Sequence, residues 1–182
     1  FYEHGASTAS ARGRPGSRRE GSKVSNVNAN DNMSFLRDLI YRRSAIVVPP
    51  EKQYLIDSRL APIAREAGLA SIEALVLKMR LERDDTPLSK RVVEAMTTNE
   101  TLFFRDLHPF EALQQRMLPE LIKARQKQRS LRIWCAAAST GQEPYSIAMT
   151  IREHFPELAS WNVQIIATDI NAAVLERART AR

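Results

Sequence analysis

A chain of 182 residues suits one domain or two small ones. Hydrophobic residues make up 43% and charged residues 26%, the proportions of a globular protein, and no apolar run reaches the roughly 20 residues that a membrane helix needs. The lone Cys135 excludes an intrachain disulfide and a zinc site of several thiolates. The N-terminus has no apolar stretch of the kind a secretory signal carries, so a cytoplasmic setting without membrane insertion is expected. A net charge of +6 favours an anionic partner and does not choose among nucleic acid, acidic protein and lipid.

Residues 1–32 are rich in Gly, Ser, Ala, Asn and Arg, and are predicted to be a disordered tail, because so little apolar surface cannot offset the entropy of ordering it. The apolar pattern begins near Met33, which is also an expected start of translation. Phe35, Leu36, Leu39 and Ile40 predict a first amphipathic helix. Pro49 and Pro50 mark a turn, and Pro50 is suited to open the next helix. The second helix carries Ile56, Leu60, Ile63 and Ala67 on one stripe; Pro62 is expected to kink or split it, and Gly68 to stop it. Ser71 caps a third helix to about Met79; Asp84, Asp85 and Pro87 form a turn; Leu88, Val92, Val93 and Met96 give a fourth helix. Residues 33–96 thus read as a small helical bundle. A long helix over 107–127 follows, with a basic tail from Lys123 to Arg129 that suits its C-terminal dipole. Strand 131–137, helix 143–155, strand 163–168 and a helix from Asn171 then predict a parallel sheet with crossovers, of which about half is present.

Three segments carry candidate chemistry. The first strand ends in Ala136-Ala137-Ala138-Ser139-Thr140-Gly141-Gln142-Glu143-Pro144-Tyr145, where small residues let a ligand approach the backbone beside a helix N-terminus. The single glycine is not a dinucleotide fingerprint, and an ordinary tight turn is the competing reading. Asp169, at the end of the second strand, suits the two ribose hydroxyls of a nucleoside, or else caps the next helix. The linker Thr97 to Asp106 fits either a capping box of Thr97 with Glu100 followed by core phenylalanines, or a polar lid over a cofactor. His4, His108 and His154 have no base or metal partner in the pattern, and no metal is expected.

Thr97-Thr98-Asn99-Glu100-Thr101-Leu102-Phe103-Phe104-Arg105, the run from Arg132 to Ser146, and Ala167-Thr168-Asp169-Ile170 together resemble CheR-type chemoreceptor methyltransferases, in order and in spacing. The likeness covers the chain from about Ser34 to Arg182. It implies an α plus α/β architecture: a helical domain at 33–96, then the first half (97–182) of a Rossmann-like methyltransferase domain, truncated before its later strands. It also implies S-adenosyl-L-methionine as cofactor, with S-adenosyl-L-homocysteine as product, and glutamate side chains of methyl-accepting chemotaxis receptors as acceptors. By motif position Asn99, Thr101, Arg105, Glu143 and Asp169 would bind the cofactor, Arg105 having at most a positioning part in catalysis. Arg59 and Arg65 would meet the acidic receptor segment; local pairing of Arg59 with Asp57 or Glu66 is the alternative. An ionised acceptor carboxylate needs no general base, and none is assigned. A half-sheet predicts a weak binder and a poor catalyst. A non-catalytic receptor-binding module and a nucleic-acid methyltransferase are the competing functions; the second is set aside because no flipped-base pocket is signalled.

Overall fold

The computed structural model describes residues 21–82 and 85–180. The first helix, α1, runs Gly21–Ser44. It begins well before Met33, so the expected tail is helical over residues 21–32, while residues 1–20 lie outside the described residues. Gly, Ser and Asn are poor helix formers, so propensity hides this extension. Part of its anchorage is tertiary: Arg80 donates from Nη1 to Asp31 Oδ2 (2.6 Å) and Asn32 Oδ1 (2.9 Å), and its guanidinium lies 5.3 Å from the Phe35 ring centroid.

A 3₁₀ turn, Pro50–Lys52, leads into α2, Gln53–Glu66. Pro62 sits inside α2 without splitting it. The proline costs about 3 kcal/mol in a helix interior. Ile56, Leu60, Ile63 and Ala64 are buried on both sides of it, and each large side chain returns roughly 1.5–3 kcal/mol. Helix α2 ends in a Schellman motif: Gly68, at φ +70°, donates to Arg65 O, and Leu69 N donates to Ala64 O. Helix α3 is Ile72–Leu81, capped by Ser71 Oγ accepting from Ala74 N. Helix α4 is Pro87–Met96, with a capping box of Thr86 and Ser89; of the turn before it, Asp84 lies outside the described residues. These four helices enclose a core that includes Leu36, Leu39, Ile40, Leu60, Leu75 and Val92, all essentially inaccessible.

The expected capping box at Thr97 and Glu100 does not form. Thr97 is instead the C-cap of α4, its Oγ1 donating to Glu94 O at 2.6 Å, and the linker continues without a helix. The long helix expected over 107–127 is three pieces: α5 (His108–Ala112), a π-helical turn (Leu113–Met117) and α6 (Leu118–Arg125). Pro119 explains the break. It has no N–H for the carbonyl one turn back and its ring crowds that carbonyl, and the wider turn lets Leu118 N–H reach Leu113 O.

Strand β1, Ser130–Ala136, leads into α7, Gln142–His154; strand β2, Asn162–Thr168, leads into α8, Ala172–Thr180. The strands are parallel and in register from Ser130 with Asn162 to Ala136 with Thr168. Leu131 faces inward, into a core with Leu118, Ile151 and Phe155, and Cys135, four residues on, is buried as well. The opposite sheet face is open: Trp134 is 71% and Ile166 48% exposed.

Candidate functional site

The C-terminal ends of β1 and β2 and the linker that precedes α5 meet around one residue, Ser139. Its backbone N–H donates to Asp169 Oδ2 at 2.8 Å, and its Oγ donates to the Asn99 carbonyl at 2.8 Å. The other carboxylate oxygen of Asp169 accepts from Asn171 N at 2.9 Å. Asp169 therefore braces the strand-to-helix turn. The cap of α8 is Asn171, whose Oδ1 accepts from Ala173 N and Val174 N.

The turn itself is tightly constrained. Ala137 (φ 56°), Ser139 (φ 49°) and Gly141 (φ 97°) all occupy left-handed backbone. At Gly141 a Cβ would stand 3.0 Å from Ala178 Cβ and 3.1 Å from the Tyr145 ring, so glycine alone fits. Tyr145 in turn donates its hydroxyl to Ala178 O at 2.9 Å, which ties α7 to α8.

Between this turn and the linker lies a cleft of about 480 Å³, lined by Thr101, Arg105, Ala137, Ser139 and Glu143 and closed on one side by Phe110 and the π-helical turn. That volume falls within the roughly 300–1,000 Å³ of small-molecule sites. Its charged lining is Glu143, from the first turn of α7, and Glu100, Arg105 and Asp106, from the linker; Arg105 Nε lies 4.0 Å from Asp106 Oδ2, and its Nη1 donates to Glu100 O at 3.0 Å. Three of the five expected cofactor residues, Thr101, Arg105 and Glu143, thus share one cleft. Asn99 and Asp169 stand behind its wall, each bonded to Ser139. A second hollow of about 370 Å³ between α7, β2 and α8 is apolar, and Arg179 is the one charged residue lining it among the described residues.

Cys135 lies under the cleft. Its thiol is pushed up to about 11 by burial first, then by the charge of Glu143 and a hydrogen bond to it. At neutral pH it is a protonated packing group. No group of residues among those described could hold a metal ion.

The two arginines expected to meet a receptor lie apart from the cleft and differ from each other. Arg65 is exposed on α2. Arg59 is half-buried, and its Nη1 donates to the carbonyls of Ala95 (3.4 Å), Met96 (2.9 Å) and Thr97 (3.1 Å), capping the C-terminus of α4. It pairs with neither candidate: Glu66 holds Arg91, and Asp57 accepts from Gln53.

Sequence reasoning did not single out Ser146. It is fully buried, its Oγ accepts the Phe104 N–H at 3.0 Å, and it donates to Gln142 O at 2.7 Å. One signal was available: a serine on the inward face of α7, four residues after Gln142, must bond somewhere.

Residues 31–97 match the family described as CheR methyltransferase, all-alpha domain, and residues 99–182 the one described as CheR methyltransferase, SAM binding domain. Chemotaxis protein methyltransferase 1 of Pseudomonas aeruginosa is 46% identical over 155 residues, 83% of this chain and 55% of that protein. The chemotaxis protein methyltransferase of Vibrio parahaemolyticus is 47% identical over 137 residues, 74% of this chain and 48% of that protein. A chemotaxis protein methyltransferase of Borreliella burgdorferi is 31% identical over 160 residues, 85% of this chain and 56% of that protein. The chain spans about half the length of these curated relatives.

Proposed function

The chain belongs to the CheR methyltransferase family, and from that premise we propose that it serves S-adenosyl-L-methionine-dependent methylation of glutamate side chains on chemotaxis receptors. The observation that carries the reading is the convergence of Thr101, Arg105 and Glu143 on one cleft, backed by Ser139.

The donor set fits the cofactor. Glu143 and Arg105 offer a carboxylate and a guanidinium to a ligand whose amino-acid end bears an ammonium and a carboxylate. Asp169 keeps further lone pairs for the ribose hydroxyls, while its bonds to Ser139 N and Asn171 N hold it rigid. Because Thr101 and Arg105 share the cleft with Glu143 and Asp169 does not line it, the linker residues belong with the amino-acid end. When bound, the sulfonium supplies an activated methyl group. The acceptor, with a pKa of about 4.3, is ionised at neutral pH. The protein's part is therefore alignment, and Arg105 positions without removing a proton.

The helical unit is the proposed receptor-facing part. Arg65 presents its charge on the exposed side of α2, and Arg59 adds positive potential to that helix while tied to α4. No helix among the described residues is long and apolar enough to cross a membrane.

Calorimetric titration of S-adenosyl-L-homocysteine into the 182-residue chain tests the reading. We expect weak binding that Asp169→Ala abolishes, with little turnover because the open sheet face leaves the site half built. No heat at millimolar ligand would remove the cofactor reading and leave a receptor-binding helical unit. Robust turnover would overturn the expectation of weak activity.

A further inference from the structure

Besides the bond from Asn171 Nδ2 to Thr97 Oγ1 at its start, two serines fasten the linker to the α/β unit, one on either side of Thr101. Ser139 Oγ holds the Asn99 carbonyl and Ser146 Oγ holds the Phe104 N–H. Little else is seen to hold the stretch between them. Leu102 is 64% and Phe103 56% exposed, so apolar burial does not pin it. Arg105 Nη1 closes the same loop on itself through Glu100 O. The backbone is left-handed at Phe104 (φ 52°) and Asp106 (φ 60°), conformations that persist only where the surroundings impose them. Beyond its backbone bond to Ser146, Phe104 is steadied by an edge-on contact with Phe110, ring centroids 5.3 Å apart.

Ser146 is itself absent from the cleft wall, yet it bonds the residue immediately before Arg105. We infer that Ser146 is a positioning residue: through the Phe104 N–H it sets where Arg105 and Thr101 stand, and so governs recognition of the cofactor's amino-acid end. The inference rests on the cofactor reading above. The opposite wall, where Asp169 braces Ser139, does not depend on Ser146, so a nucleoside lacking the amino-acid end should be indifferent to it.

The test compares S-adenosyl-L-homocysteine with 5′-methylthioadenosine, titrated into the parent chain, Ser146→Ala and Ser146→Thr. Loss of one buried hydrogen bond predicts that Ser146→Ala weakens S-adenosyl-L-homocysteine about tenfold and leaves 5′-methylthioadenosine within about twofold. Ser146→Thr keeps the hydroxyl and should restore most of the difference; Thr150, one turn later, already makes the same backbone bond in α7. Circular dichroism confirms that each variant is folded. Unchanged S-adenosyl-L-homocysteine affinity in folded Ser146→Ala overturns the inference and leaves the cofactor reading intact, and equal weakening of both ligands overturns it in favour of a purely structural serine. A parent chain that binds neither ligand removes the cofactor reading, and this inference with it.

Discussion

The helical unit and the α/β unit are held together by different physics. Helices α1 to α4 close on a continuous aliphatic core, and α3 and α4 begin with side-chain caps. The α/β unit covers one face of a two-stranded sheet and leaves the other to solvent. Its cleft is shaped by hydrogen bonds to Ser139, Ser146 and Asp169 and by backbone in the left-handed region. Stability is concentrated where nothing reacts, and the site is built from polar contacts, each of which is worth only about 0.5–1.5 kcal/mol net.

The largest effect expected from that contrast is in the helical core. Leu60→Ala should cost about 2–5 kcal/mol. Hydrogen exchange should then rise across α1 to α4, whereas Trp134→Ala, on the open face, should change stability by less than about 0.5 kcal/mol. Comparable losses from both would break the comparison. Next comes Gly141→Ala. A forced left-handed alanine pressed against Ala178 should cost roughly 1–3 kcal/mol, speed exchange in α7 and α8 and lower cofactor affinity, with α1 to α4 unaffected. The last effect is a pH dependence. Folding raises the Cys135 thiol from its ordinary 9.0 to about 11, so the folded state holds this proton more tightly. The associated stability is fully present below about pH 9 and is lost as pH rises through about 11. Denaturant midpoints should fall across that window in the parent chain and fall less in Cys135→Ala.

What could be read from the sequence were the local features. Ser71 and Gly68 sit where caps and stops belong, and the strands were placed to within a residue because short apolar runs bounded by small residues leave few alternatives. The motif residues Thr101, Arg105 and Glu143 could be named, and they do meet in one cleft. What escaped depends on partners far along the chain. Residues 21–32 are helical though their composition argues otherwise, and Arg80, 49 positions from Asp31, helps hold them. Thr97 reads as an N-cap and acts as a C-cap, because the helix it serves precedes it. Arg59 reads as a free cation until the end of α4 is brought beneath it. Left-handed alanine, serine and phenylalanine leave no trace in composition at all.

The open sheet face has a spectroscopic consequence. Trp134 sits in water with its Nε1 donating to Thr168 Oγ1 at 2.9 Å, whereas Trp161 packs against the α/β core. The chain therefore carries two indoles in unlike surroundings, one red-emitting and quenchable by iodide, the other half-buried and less so. Anything that settles on the bare face would shift the first toward the blue and leave the second unmoved, so covering of this surface can be followed by light without a label.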